Sequence, residues 1–261
     1  MMSDEQVRPM DQETWGTYKH LSGRSVIVTG GATGIGAEIV IAFYHQGCRV
    51  GFLDLNEAGA REIQDRCPGV LFAHADLRNI ASEKQALEYL IEELGGVDVL
   101  VNNAANDDRH DWKDVTPDYW DERFATNLRH QFFAIQACAP HMSKAGHGSI
   151  INIGSNSWWE AGGGFPAYAT AKSAVHGLTR TMARDLGIYG IRVNTVVPGW
   201  IMTQRQRDLW VTEDALAKQT DRQCIHEPIE PVYVARMCVF LASDDAGMCT
   251  AGNFMVDGGS I

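Results

Sequence analysis

The sequence predicts a doubly wound α/β domain, in which helices cover both faces of a parallel sheet. Three observations carry the prediction. Short, continuously apolar, β-branched runs alternate with longer helical patterns, as strands buried on both faces do. The 261 residues, 45% of them hydrophobic, suit one domain with a full core, and no repeat, low-complexity block or linker divides them. A glycine-rich turn, TGGATGIG at 29–36, joins the first apolar run to the first helical one.

Taken in order, residues 1–21 are polar and carry no apolar leader-like run, so they read as a floppy or partner-docked arm ahead of a domain spanning 22–261. Strands are predicted at 25–29, 49–54, 70–75, 97–102, 148–154 and 191–197, with a weaker seventh in NFMVDGG at 253–259. Helices are predicted at 34–47, 79–94, 116–142 and 167–187. Thr116 before Pro117 supplies the N-cap and first-turn signal of the third of these. The stretch 198–231 breaks the alternation with polar, helical sequence before the next apolar helix. It reads either as a substrate lid, since insertions beyond strand C-termini occupy that place in open sheets, or as a surface helical hairpin.

Charge and cysteines narrow the function classes. Thirty-three acidic against 22 basic residues give a net charge of −11, which repels phosphate backbones and argues against nucleic-acid binding. Six scattered cysteines have neither disulfide-framework nor zinc spacing, so no metal is expected and reduced cytoplasmic thiols are. No apolar run approaches a membrane span.

The motifs point to dinucleotide chemistry. In TGGATGIG, Gly30 permits a sharp turn, while Gly34 and Gly36 let backbone approach a pyrophosphate at the helix N-terminus and let the helix pack on the sheet. The spacing G-x-x-x-G-x-G is one residue longer than the usual fingerprint. Asp54 ends the second strand, where a carboxylate accepts hydrogen bonds from an adenosine ribose and repels a 2′-phosphate. None of Ala32, Thr33 and Leu55 is basic, so NAD is expected over NADP. Asp76-Leu77 falls where an adenine would lie, or caps a helix; NNAA at 102–105 offers small residues and amides beside a cofactor ribose.

Tyr168 and Lys172 form Y-x-x-x-K, one helical turn apart on one face. A free phenol titrates near about 10, and a nearby ammonium favours the phenolate by ~3–4 kcal/mol, enough to make Tyr168 a base at mildly alkaline pH. Ser155, at the end of the fifth strand, is placed to hold the reacting oxygen beside it. Asn127, a polar residue inside the long helix, is expected either to hold a water linking to Lys172 or to face solvent.

Together, TGGATGIG, Asp54, NNAA, Asn127, Ser155, YATAK and PGWIMT (198–203), in this order, resemble the short-chain dehydrogenase/reductase family over nearly the whole chain. The resemblance implies a seven-stranded Rossmann-type sheet, a catalytic set of Asn127, Ser155, Tyr168 and Lys172, and a homotetramer built through the helices at 116–142 and 167–187 and the C-terminal strand region. It places NAD against Gly30, Thr33, Gly34, Ile35, Gly36, Asp54, Leu55, Asp76, Leu77, Asn103, Ala104, Ala105, Tyr168, Lys172, Pro198, Gly199, Ile201 and Thr203. Two positions depart from the family pattern: Ala105 replaces the usual glycine of N-N-A-G, and Gly154 stands where a second serine is common.

The substrate is expected to be polar. Asn106, Asp107, Asp108, Arg109 and His110 follow the fourth strand; Ser157, Trp158, Trp159 and Glu160 follow Ser155; Gln204 and Arg205 follow PGWIMT. Polar groups beside indole planes suit a sugar, although DDRH is also what a solvated loop would contain. NDDRH, YWDER, NLRH, the serine-tryptophan pair after Ser155 and RQ resemble the bacterial sugar dehydrogenases, which include NAD-dependent D-xylose and galactose 1-dehydrogenases. That resemblance implies oxidation of an aldose at C1 to its lactone, with Asn106, Ser155, Ser157, Trp158, Tyr168 and Arg205 at the sugar. A deoxy-keto sugar acid or a sugar alcohol is the rival substrate, with Arg109 or Arg205 on a carboxylate; a non-catalytic NAD sensor is the rival of another class.

Overall fold

The run SVIVT forms β1 (Ser25–Thr29) and is buried along its whole length, because its side chains supply two cores at once. Val26 and Val28 point into a cluster with Ile39 and Phe43, while Ile27 points the other way, among Leu87 and Leu90. Burying such a side chain contributes about 1.5–3 kcal/mol, and a run apolar at every position gains it on both faces. The same division recurs at Val99 and Val101 against Leu100, and at Ile151 and Ile153 against Ile150.

The computed structural model describes residues 16–261. In chain order the elements are β1, α1 (Gly34–His45), β2 (Arg49–Asp54), α2 (Glu57–Arg66), β3 (Leu71–His74), α3 (Ile80–Leu94), β4 (Val99–Asn102), α4 (Pro117–Phe124), α5 (His130–Ala145), β5 (Gly148–Ile153), α6 (Pro166–Leu186), β6 (Ile191–Pro198), α7 (Gln204–Leu209), α8 (Glu213–Arg222), α9 (Pro231–Ala242) and β7 (Asn253–Val256). The strands form one seven-stranded sheet ordered β3-β2-β1-β4-β5-β6-β7, parallel throughout. Helices α1, α2 and α9 cover one face, and α3, α5 and α6 cover the other. The strand order reverses between β1 and β4, and the crevice beyond that reversal is where ligands bind in open α/β sheets. Register brings Thr29 level with Leu53 and Asn102, and Asn102 level with Asn152, so the strand ends share one edge.

Three differences from the sequence expectation have physical reasons. Helix α2, which is not among the helices predicted, buries only Gly59, Ala60 and Ile63, too narrow an apolar stripe to stand out; Asn56 caps it by accepting from the Gly59 N–H at 3.0 Å. The single helix predicted from Thr116 does start there, with the Thr116 hydroxyl accepting from the Tyr119 N–H, but it passes through a π-helical turn at Ala125–Arg129 before α5. The last residues of the predicted arm are packed on the domain. Residues 1–15 lie outside the described residues, whereas Gly16–Leu21 pack on the end of α1. There Gln46 accepts from the Tyr18 N–H at 2.9 Å and donates to the Gly16 carbonyl at 3.0 Å, and Leu21 is buried.

The stretch 198–231 carries α7 and α8 over the carboxyl edge of the sheet. Its neck is closed by a parallel bridge between Ile201 and Ile229, with Met202 N–H donating to the Ile229 carbonyl at 2.9 Å. Among the described residues no helix is long and apolar enough to cross a membrane.

Candidate active site

The cavity at the carboxyl edge has a volume of about 1090 Å³. One end is the glycine-rich turn. Gly30 has φ +68°, which L side chains rarely adopt, and its N–H donates to the Leu53 carbonyl at 2.7 Å. A Cβ on Gly36 would lie 1.8 Å from the Gly30 carbonyl oxygen, so the N-terminus of α1 can sit this close to the β1 turn only as glycine. The open N–H groups of that helix end, with small residues around them, fit a pyrophosphate. The NNAA segment closes the floor. Asn103 donates from its amide to the carbonyls of Thr29 and Gly30, at 3.1 and 2.9 Å, and the Thr29 hydroxyl accepts from the N–H groups of Asn103 and Ala104. These bonds staple β1 to β4 at the strand-order reversal, leaving Asn103, Ala104 and Ala105 on the cavity wall.

Asp54 stands at the wall with one carboxylate oxygen accepting from Ala32 N–H at 3.0 Å and the other from Asn56 N–H at 2.9 Å. It therefore shapes the glycine turn as well as offering its remaining lone pairs to the cavity. Thr33, Gly34, Ile35, Leu55, Asp76 and Leu77 line the same end, and Pro198, Gly199, Ile201 and Thr203 the opposite wall. One cation there escaped the sequence reading: Arg78, whose guanidinium pairs with Asp76 at 2.7 Å and Glu122 at 3.4 Å. That pairing holds the Asp76 carboxyl below its usual range against a smaller opposing effect of burial.

The other end gathers Ser155, Tyr168 and Lys172. Ser155 follows β5 and shares a hydrogen bond with Tyr168; its oxygen also accepts from Ser157 N–H at 3.1 Å. Lys172 is buried one turn beyond Tyr168, donates to the Ile153 carbonyl at 2.7 Å, and lies 5.8 Å from the phenol ring centre. The expected depression of the tyrosine is not what the chain alone provides. Burial, with a contribution from the charge of Asp107, pushes the Tyr168 phenol up to about 12, against the opposing effects of Ser155 and Arg109. Burial also brings Lys172 down to about 7, opposed by Asp107, so its proton is loosely held and its ammonium turns toward a carbonyl. Within the chain, the effects of Ser155 and Arg109 that favour the phenolate are outweighed by burial and Asp107.

Two expected site residues stand elsewhere. Asn127 is buried in the π turn, off the cavity wall. Its amide donates to the Arg123 carbonyl and accepts from Asn106 N–H, at 2.9 and 2.8 Å, so both ends of the amide are occupied. The solvent-facing reading of Asn127 is thus excluded, and what its amide fixes is the backbone of Asn106. Trp158 turns away from the cavity, stacking on Trp159 with ring centres 4.0 Å apart and donating to His176 Nε2 at 3.3 Å. The aromatic groups on the cavity wall are Phe165 and Trp200 instead.

Asn106, Ser157 and Arg205 do line the cavity. The Ser157 hydroxyl is buried without a protein partner, as is the Gln219 amide nitrogen, which α8 brings to the same cavity. Arg205 pairs with Asp108 and lies 3.7 Å from Asp107. Gln206 donates to Asp107 at 2.7 Å and accepts from the Trp200 indole at 2.9 Å. Arg109 lies 3.9 Å above the Phe165 ring. His110 is a strut: it bonds the Tyr119 hydroxyl at 3.0 Å, and its N–H donates to the Gly164 carbonyl at 2.7 Å.

A glycine cradle at one end of a crevice and a serine, tyrosine and lysine at the other define an oxidoreductase acting on CH–OH groups. The chain belongs to the short-chain dehydrogenase/reductase family, whose dehydrogenases use a nicotinamide cofactor: residues 30–260 match its enoyl-(acyl carrier protein) reductase model. It is 44% identical to a D-xylose 1-dehydrogenase of Caulobacter vibrioides over 246 residues, covering 93% of this chain and 97% of that one. It is 42% identical to a probable galactose dehydrogenase of Rhizobium meliloti over 247 residues, covering 93% and 96%. A crystal structure of a putative short-chain alcohol dehydrogenase from Sinorhizobium meliloti 1021 aligns with TM-score 0.86 at 29% identity, over 92% of this chain and 96% of that one.

Proposed function

We propose that this chain oxidises an aldopyranose at its anomeric carbon to the aldonolactone, with NAD as the cofactor. The observation that carries the substrate class is the polar wall beside Tyr168. Asn106, Asp107 and the partnerless hydroxyl of Ser157 line the cavity there, with the Trp200 indole also on its wall. A sugar presents hydroxyls to the first set and C–H faces to the second, whereas an acyl chain or steroid would strand the polar groups. The sugar substrates named for the two relatives support the same reading.

Bound NAD⁺ would supply the two-electron acceptor, and its positive ring would favour the Tyr168 phenolate. Tyr168 then takes the proton of the C1 hydroxyl, the Ser155 hydroxyl holds the same oxygen, and Lys172 lies behind the phenol as the neighbouring cation. Asn127 acts by fixing Asn106 through its backbone. Asp54 receives the adenosine ribose; Arg78, the cation nearest in sequence to Asp76, is already paired to Asp76 and Glu122, and none of Ala32, Thr33 and Leu55 is basic. Helices α7 and α8 form the substrate lid, latched through Arg205 and Gln206. Arg205 is committed to Asp108 and Asp107, which speaks against its serving a sugar acid.

A homotetramer in the cytoplasm completes the reading. It is supported by an apolar groove of Phe124, Leu128, Phe132, Phe133 and Leu178 on the predicted assembly helices, and by six cysteines that are all free thiols. Steady-state NAD⁺ reduction tests the function. D-xylose, L-arabinose, D-galactose or L-fucose is expected to exceed sugar acids and polyols, and silence with all four aldoses would overturn it.

A further inference from the structure

We propose that Asp107 is the specificity-determining residue of this site: its carboxylate accepts hydroxyls of a neutral sugar beside the reacting carbon and rejects the corresponding sugar acid. The inference rests on the aldose reading above and goes beyond it by naming the residue that selects. Asp107 lines the cavity together with Ser155 and Tyr168, and only about a quarter of its side chain is exposed (25%). One oxygen accepts from Gln206 at 2.7 Å; the other lies 3.7 Å from Arg205, whose nearer partner is Asp108. A carboxylate has about four acceptor sites, so most of its capacity remains for hydroxyl donors. Its backbone is held in place, because the preceding Asn106 N–H is pinned to Asn127 and the Asn106 side chain accepts from Asp108 N–H at 2.9 Å.

The charges around Asp107 decide the sign. Arg109 and Lys172 are near enough to feel its charge, but Arg109 lies on the Phe165 ring and Lys172 donates to Ile153. A second carboxylate entering here would meet Asp107, whose charge already offsets the Arg109 guanidinium on the cavity wall, and like charges at contact cost heavily. A hydroxyl meets an acceptor that is otherwise idle. Since Gln206 belongs to α7, an occupied Asp107 also ties substrate recognition to the lid.

The test compares D-galactose with D-galacturonate in wild type, Asp107→Asn and the control Asp108→Asn, each checked for folding by thermal melting. With NAD⁺, Asp107→Asn is expected to raise KM for galactose about tenfold while the galactose-to-galacturonate ratio of kcat/KM falls about a hundredfold or more, as removal of one hydrogen-bonding and one repulsive contact requires. Calorimetric titration of each sugar into the NADH complex should show the same reversal without turnover. Asp108→Asn, which loosens Arg205 but lies off the cavity wall, should keep the ratio. If Asp107→Asn raises both KM values together and leaves the ratio unchanged, Asp107 only latches the lid and the proposal is overturned. If wild type turns over no aldose, the aldose reading falls and this inference with it; an active wild type with an unchanged ratio sinks the inference alone.

Discussion

At the scale of single residues, Tyr168 carries the chemistry, and its setting sets the pH dependence. Burial holds the phenol at about 12 in the chain alone, so activity has to rise with pH as the proton becomes easier to remove. Tyr168→Phe is expected to lower kcat by about 10²–10⁴-fold, the usual worth of a positioned base, while NADH fluorescence titration shows unchanged binding. Full turnover in that variant would leave only a cofactor-binding sensor. Asp54→Ala should narrow the NAD⁺ over NADP⁺ preference in kcat/KM, and it also frees the Ala32 and Asn56 N–H groups. Unchanged selectivity would mean that the ribose is read elsewhere. Ser155, Tyr168 and Lys172 were legible because strand end and helical spacing fix them. Trp158 was not: its indole partner, His176, lies 18 residues further on in α6, and nothing in the local sequence signals that pairing. Nor does sequence distance reveal Arg78 or Gln219, which reach the cavity from β3's end and from α8.

At the scale of elements, the β1 turn and α1 are built so tightly that one methyl group should separate them. Gly36→Ala would put its Cβ against the Gly30 carbonyl and 2.5 Å from the Asn103 amide nitrogen, the staple to β4. Such overpacking costs about 1–3 kcal/mol or more, and here it also displaces the phosphate-binding N–H groups. Both the melting temperature and NADH affinity should drop, the latter at least about tenfold by the usual conversion of 1.4 kcal/mol; wild-type affinity would show that the cradle yields. Strand and helix positions were legible because burial on two faces forces continuous apolar runs. The π turn at Ala125–Arg129 was not, since one extra residue in a helical turn hardly alters the apolar period. It is this turn that contains Asn127, which is how its amide comes to hold the Asn106 N–H from behind the cavity wall.

At the scale of the whole molecule, one buried pair should shape stability against pH. Glu83 of α3 faces His130 of α5 at 4.0 Å, both fully buried, and the Glu83 carboxyl finds no hydrogen-bond partner. Burial raises Glu83 from 4.5 to about 8 and lowers His130 from 6.5 to about 3, so burial favours the neutral form of each. The folded chain therefore holds the Glu83 proton more tightly than the unfolded one, and stability falls as pH rises from about 4.5 to about 8. His130 acts in the opposite sense, removing stability as pH falls below 6.5. Glu83→Gln should melt higher than wild type at pH 8 and lose that advantage near pH 5; a constant difference would contradict the buried-acid assignment.

The central claim, that the anomeric carbon gives up its hydrogen to the nicotinamide, is tested most directly with an aldose deuterated at C1. With NAD⁺ and [1-²H]-D-xylose or [1-²H]-D-galactose, the deuterium should appear in the reduced cofactor and the sugar in its lactone or aldonate. Reduced cofactor without deuterium would place the oxidation at another carbon and contradict the account.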